Sequence, residues 1–250
     1  MAQTWTFVAA GAVATGVNPV PALPAGILPG DLLVAVGGCN TAGFTAAIAG
    51  WRNLLLQTGA SPNLSVWIRV ATGADSSPTL TNAGASSAGV IAAWRGLTAY
   101  DAVGALQTGV SVSSLISGTV GTTATDDCVI HIWGTGNNGV GTWTNPGGTT
   151  ARVNQGTSAT ISGLLIDDED QAIPGTTTSR TGTQSLTGNM SAVTIAVRQL
   201  GLPQWLNPAS LSAPGRKPYK DQFYRPPWTY TAAAGSPNVS LTLTGQVITS

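Results

Sequence analysis

The chain carries one histidine, His131, set between Ile130 and Ile132 in an apolar run. A histidine beside a carboxylate can act as a general base, and Asp126 and Asp127 lie just upstream. A Ser-His-Asp arrangement is open by composition, but no Gly-x-Ser-x-Gly elbow accompanies it. The plainer reading is a strand side chain that is hydrogen-bonded or faces solvent. Metal catalysis through two imidazoles is excluded, because one histidine cannot supply two ligands. Cys39 and Cys128 lie far apart without metal-ligand spacing. Buried free thiols are the expectation; a disulfide stays open, since sequence alone cannot place the two sulfurs.

Carboxylates form the second candidate. Asp167-Asp168-Glu169-Asp170 could offer oxygen ligands to calcium. Consecutive acids on extended backbone alternate direction, however, and the Asp-x-Asp-x-Asp-Gly spacing is absent. A solvated turn is expected there, able to attract a basic segment of a neighbouring chain. A glycosidase needs two acids about 5–9 Å apart across a cleft. Asp31, Asp75, Asp101 and Asp126 all read as strand-end or turn positions, and nothing singles out a pair. Trp133 and Trp143, with Asn137 and Asn138 between them, make a candidate glycan contact: rings stack on pyranose faces and amides bond hydroxyls. The competing role for such tryptophans is core or interface. Gly11 to Gly16 lacks a following helix, so no phosphate loop is claimed. No catalytic residue, cofactor or metal is expected.

The elements that would hold these residues read as strands. Thr4 to Val8 alternates polar and apolar, the period of a half-buried strand. Pro19, Pro21, Pro24 and Pro29 then enforce an extended loop. Leu32 to Val36 is a continuous apolar run suited to a strand buried on both faces. Trp51 to Gln57 and Asn63 to Ala71 follow. In the latter, Leu64, Val66, Ile68 and Val70 point one way and Ser65, Trp67 and Arg69 the other. Gly89 to Arg95, Asp127 to Trp133, Ser158 to Ile166 and Ala192 to Gln199 complete the set. Ala42 to Ala49 is the one weak helical signal. Gly-Asp-Leu-Leu-Val-Ala-Val and Asp-Asp-Cys-Val-Ile-His-Ile are loosely similar, as two buried strands would be, and no strong internal repeat is read. Short segments divided by Gly, Asn and Pro turns predict an antiparallel β-sandwich.

Composition supports this. Only 20 of 250 residues are charged, ten of each sign, with 47 glycines and prolines where ordinary usage gives about 12%. Helical bundles need charged outer faces that are missing here, and a free-standing nucleic-acid binder usually shows a basic excess. At 42% hydrophobic with zero net charge, disorder is not expected. No apolar run is long enough to span a membrane, and Met-Ala-Gln-Thr-Trp-Thr-Phe does not read as a secretory signal. A weakly charged Ser/Thr-rich surface suits a protein that lives in an assembly.

The zero is uneven. Residues 1–200 hold six arginines, no lysine and nine acids, a formal −3, while residues 201–250 carry Arg216, Lys217, Lys220 and Arg225 against Asp221, a formal +3. Prolines crowd the second segment, and six of the fifteen aromatics fall between Trp205 and Tyr230. Exposing large side chains costs roughly 1.5–3 kcal/mol each, so an extended arm that lies on its own body or on a neighbour is expected. Val239 to Val247 alternates with period two and reads as a strand needing a sheet to join. The expected anchors are Trp205, Tyr219, Phe223, Tyr224, Trp228, Leu241 and Leu243.

One ordered series carries a resemblance. Gly30-Asp31-Leu32-Leu33-Val34, then Gly50-Trp51, Val66-Trp67-Ile68-Arg69-Val70-Ala71, Ile91-Ala92-Ala93-Trp94-Arg95-Gly96 and Asp127-Cys128-Val129-Ile130-His131 resemble jelly-roll-like virion proteins of tailed bacteriophages. Tail-fibre, collar and head-decoration components are the types concerned, and Ser240 to Gln246 resembles their endings. The resemblance covers residues 1–200 and the last dozen; segment 201–230 has no match in it. It implies a jelly-roll-type sandwich (1–200) working as a structural subunit of a virion made in the bacterial cytoplasm, to which the C-terminal arm (201–250), read from its own prolines and aromatics, is added. It implies a homo-oligomer, trimeric or higher, bound to other virion proteins. It implies no catalytic residue. A carbohydrate-binding module for a host-surface glycan is the alternative, with a glycan hydrolase behind it. Neither nucleic acid nor membrane insertion is expected. Assembly through an acidic body and a basic arm would weaken modestly with added salt.

Overall fold

A computed structural model describes residues 5–198, apart from 41–42, 45–46, 58–62, 83–86, 137–138 and 158–161. The chain divides into two units, Met1–Gly201 and Leu202–Ser250. All described residues belong to the first, and the expected arm and its seven anchors lie outside them.

The described chain is an all-β antiparallel sandwich with no helix among the described residues. The first sheet takes β1 (Thr6–Ala10), β2 (Ala14–Thr15), β3 (Leu32–Cys39), β4 (Arg52–Leu56), β5 (Asn63–Val70) and β6 (Ser87–Arg95). Its order is β1-β6-β3-β5-β4, with β2 also on β6. The second sheet draws on the strands that follow: β7 (Ala99–Val103), β8 (Gln107–Ile116), β10 (Asp127–Thr135), β11 (Trp143–Thr144), β12 (Thr150–Gln155), β13 (Gly163–Gln171) and β15 (Thr181–Arg198). There β15-β10-β13-β12 run in order, and β7, β8 and β11 also pair with β15. Two short strands, β9 (Gly121–Thr122) and β14 (Gly175–Thr176), pair with each other. A jelly roll weaves successive strands between its sheets; here each sheet is built from one half of the chain.

The core lies between the sheets. Leu32, Val34, Val36, Leu64, Val66, Ile68, Val90, Ala92 and Trp94 meet Cys128, Ile130, Ile132, Leu164, Ile166, Val193, Ile195 and Val197. The opposite face of the first sheet is also covered. Leu33, Ala35, Trp67, Ile91 and Ala93 pack under Phe44, Trp51, Leu23 and Ile27. That double burial explains the unbroken apolar runs of β3 and β6.

The two halves have the same plan, although sequence alone shows no strong repeat. In each, a central strand (β3 or β10) lies between the last strand (β6 or β15) and a second antiparallel partner (β5 or β13). The ladders align residue for residue. Leu32 pairs with Trp94 and Val70 in the first half, and Cys128 pairs with Val197 and Asp170 in the second. Bulges recur at the same places. Val8 and Leu54 are the extra residues of β1 and β4; Asp101 and Arg152 are those of β7 and β12. The Gly11 amide bonds Ile91 as the Gly104 amide bonds Thr194, at 2.8 Å each. Left-handed backbone precedes both central strands, at Gly30 (φ 96) and Asp126 (φ 59). The match lives in hydrogen-bond register, which tolerates almost any residue of the right polarity. Shared residues such as Asp31 and Asp127, or Arg95 and Arg198, are few and scattered.

Candidate functional site

The two tryptophans of the candidate glycan contact do meet, inside the protein. Trp133 is fully buried and Trp143 nearly so, in a cluster with Leu165, Met190 and Ala192 beneath Val112 and Leu115 of β8. Both indole hydrogens are used internally. Trp133 Nε1 donates to the Leu115 carbonyl at 2.9 Å and Trp143 Nε1 to that of Gln155 at 3.1 Å. A buried ring offers no face for a sugar to stack on. The cause is β8, which folds over this face of the second sheet. Asn137 and Asn138 lie outside the described residues.

His131 is buried and partnered by Glu169 rather than by Asp126 or Asp127. Two residues four apart on one strand are about 13 Å distant, whereas a diagonal neighbour on the next strand is within reach. His131 Nε2 lies 2.9 Å from Glu169 Oε1, and Nδ1 lies 2.8 Å from Ser117 Oγ and 3.1 Å from Thr194 Oγ1. A carboxylate only accepts, so Nε2 carries the hydrogen toward Glu169. Arg180 grips both Glu169 oxygens. Burial would push the Glu169 carboxyl up, but the hydrogen bonds from His131 and Arg180 outweigh it and hold it below its ordinary value. The order serine–histidine–carboxylate is that of a nucleophilic triad. Ser117 is wholly buried, so in this arrangement no substrate reaches Oγ. The chain of bonds ties the segment after β8 to the second sheet.

The acidic run is a strand and not a solvated turn. It forms the end of β13, where alternation sends neighbours to opposite faces. Only Asp170 is exposed. Asp168 points between the sheets, where it accepts from Trp94 Nε1 of the first sheet and from Arg152 Nε, both at 2.8 Å. The Arg152 guanidinium lies 4.6 Å over the Phe7 ring, and Phe7 meets Trp94 edge-on at 5.4 Å. Four side chains thus close a ring across the sandwich. Asp167 faces outward but is buried. Its Oδ2 accepts from Thr149 at 2.8 Å, while Oδ1 has no partner among the described residues. Burial, with the charge of Asp168, raises its carboxyl to about 6. Among the described residues no group of His, Cys, Asp and Glu could hold a metal ion. Cys39 and Cys128 are buried free thiols.

No protein-family model, curated protein or solved structure matches this chain. The sites must therefore be judged by their own geometry.

An open concavity lies at residues that sequence reasoning did not single out. A pocket of about 460 Å³ lies where β4 of the first sheet comes beside β7 of the second. Leu32 and Ile68 are its buried lining; Arg52, Arg69, Thr72, Thr98 and Tyr100 are its polar lining. Arg52 Nη2 donates to the Tyr100 hydroxyl at 2.6 Å, with its guanidinium 4.1 Å from the ring centroid. Arg69 is neutralised by Asp75 at 2.9 Å. The signal in the sequence was weak: two arginines and a tyrosine spread over three strands that meet only in the fold.

Proposed function

We propose that the chain is a structural subunit of a tailed-phage virion, held in the particle by residues 201–250. One observation carries the reading. Strands from Thr6 to Arg198 already build a two-sheet core with both sheets represented, yet the following 50 residues bring six more aromatics and an alternating strand pattern. Side chains of that kind need a surface to cover, and a neighbouring virion subunit offers one. The low charge and the Ser/Thr-rich composition support the same reading, as does the ordered series that resembles phage virion proteins. The proposal rests on the sandwich class and not on jelly-roll connectivity. Oligomerisation as a trimer or higher, and contact with other virion proteins, belong to it.

Purified particles provide the test. Peptides of this chain should be found by mass spectrometry at a fixed, symmetry-compatible copy number, and an image of the particle should place them at the head, collar or tail. A chain found only in the lysate, never in particles, would contradict the proposal.

A second reading, attachment to a host-surface glycan, is favoured by the open pocket beside Arg52 and Tyr100. It is compatible with the first, since an attachment fibre is both structural and sugar-binding.

A further inference from the structure

Arg52 is the exception among the described arginines. The other five, Arg69, Arg95, Arg152, Arg180 and Arg198, each meet a carboxylate within 3.1 Å. Among the described residues Arg52 is given contacts with Tyr100 alone: the hydrogen bond to its hydroxyl and the stack over its ring.

The duplicated plan provides an internal comparison. Tyr100 occupies in β7 the place that Phe7 occupies in β1, each just before a bulge and opposite the equivalent residue of the last strand. An arginine stacks over each ring: Arg152 over Phe7, and Arg52 over Tyr100. In the first case Asp168 completes the arrangement by accepting from the guanidinium. The counterpart of Asp168 in the other half is Ile68, two residues from the end of its ladder with the central strand. So one stacked arginine has a carboxylate built into the fold. The other faces an isoleucine and an open pocket.

We infer that the Arg52 pocket binds a carboxylate from outside, carried on a compact polyol ring: an acidic sugar residue of the uronic-acid class. A planar guanidinium held in place by Tyr100 is suited to a carboxylate, which it can meet with two parallel hydrogen bonds. Arg69 is already balanced by Asp75, so the pocket has one uncommitted positive charge and matches a monoanion better than a phosphate. Val70, the exposed apolar residue of the lining, offers a surface to the C–H face of a ring, above the buried Leu32 and Ile68. The Tyr100 hydroxyl accepts from Arg52 and so keeps its own hydrogen to donate to a ring hydroxyl. The volume falls within the range of small-molecule sites, about 300–1,000 Å³. The inference deepens the glycan reading and does not depend on where the subunit sits in a particle.

Titration calorimetry on the full chain tests it, with sodium glucuronate as the probe and glucose, acetate and inorganic phosphate as comparators. Glucuronate should bind saturably below about 10 mM, and each comparator should bind more weakly. Arg52→Gln should weaken glucuronate by roughly tenfold to a hundredfold, the range for losing a charged hydrogen bond. Tyr100→Phe, which keeps the ring and the charge, should weaken it by less. Chemical-shift changes in the unmodified protein should centre on Arg52, Thr72 and Tyr100, which keeps the test valid if a variant folds poorly. No glucuronate binding by the folded chain would overturn the inference, as would equal binding of glucose. Acetate binding as tightly would overturn the sugar part, and phosphate binding more tightly would overturn the carboxylate. Shifts centred elsewhere would overturn the site. Copy number in particles tests the virion reading separately, so failure of one is distinguishable from failure of the other.

Discussion

Asp31 and Asp127 stand at equivalent positions at the head of the two central strands, and they ionise in opposite directions. Asp31 is met by Arg95 at 2.8 Å and by the Leu28 amide. Burial would raise its carboxyl, but those partners bring it below its ordinary value. The arginine equivalent to Arg95 is Arg198, which pairs instead with Asp101 at 3.1 Å. Asp101 is the bulge residue of β7, and a bulge re-aims a side chain. Asp127 is left fully buried beside a second carboxylate. Burial first, and the Asp101 charge second, raise it to about 7.

A pH dependence follows with a definite sign. Unfolded, Asp127 titrates near 3.8; folded, it holds its proton to about 7. Its contribution to stability is fully present below the unfolded value and is lost as pH rises through the folded one. Asp127→Asn should therefore remove part of the stability loss between about pH 4 and pH 7. At pH 8 the variant should be the more stable by roughly 1–3 kcal/mol, the scale of a poorly satisfied buried group. Melting curves across that range check this. Asp167, raised to about 6, leaves a residual slope of the same sign. Identical slopes for variant and parent would refute the assignment.

The ring around Asp168 predicts unequal costs. Arg152→Leu leaves a buried carboxylate without its cation and should cost about 3–5 kcal/mol. Trp94→Phe removes one neutral donor and should cost roughly 1–3 kcal/mol. Both touch one carboxylate, so the double variant should not show the sum. A denaturant-unfolding cycle measures the coupling, and strict additivity would contradict the ring.

Glu169→Gln takes the charge from a group held by both His131 and Arg180. It should cost about 1.5–3 kcal/mol, the range for hydrogen bonds to charged groups. Ser117→Ala removes the hydroxyl that meets both His131 and Thr194 and should cost about 1–3 kcal/mol. Imidazole NMR shifts of His131 should move in both variants. Unmoved shifts would mean the network does not form.

The duplicated halves also differ at one shared glycine. A Cβ on Gly11 would lie 1.9 Å from the Ala22 carbonyl oxygen; on Gly104 its nearest neighbour would be the Thr119 oxygen at 3.0 Å. Gly11→Ala should cost about 3 kcal/mol or more and Gly104→Ala about 1 kcal/mol, the two ends of the overpacking range. Equal melting temperatures for the two variants would show that the loop at Ala22 yields easily.

The central strands were legible because burial on one or both faces writes itself into residue type. Leu64, Val66 and Ile68 do enter the inter-sheet core, with Trp67 on the other face. Besides the two-residue β2, β9, β11 and β14, the strands that escaped are β7, β8, β12 and the first part of β15. They run through Ala, Thr, Ser, Gly and Asn, residues that lie in a ladder through backbone bonds and leave little apolar pattern. The start of the expected strand Ser158–Ile166 lies outside the described residues, while β13 runs on past Ile166 through its acids to Gln171. That extension escaped because a charged stretch looks solvated until its partners on other strands are known. The site residues were legible least of all. Glu169 finds His131, and Arg52 finds Tyr100, only through pairings set by register. Charge needs the same correction. Five carboxylates of the acidic body are already paired with arginines, and Asp127 and Asp167 hold protons toward neutral pH. The formal −3 overstates the field available to a basic arm, so assembly through that arm should respond to salt even less than the sequence implied.

Removal of residues 201–250 tests the central claim most directly. The truncated and full chains should be compared by light scattering and by incorporation into particles, with melting curves to confirm that residues 1–200 keep their fold. The virion reading predicts a folded but smaller species that no longer enters particles. A truncated chain of unchanged oligomeric mass that still incorporates would contradict it.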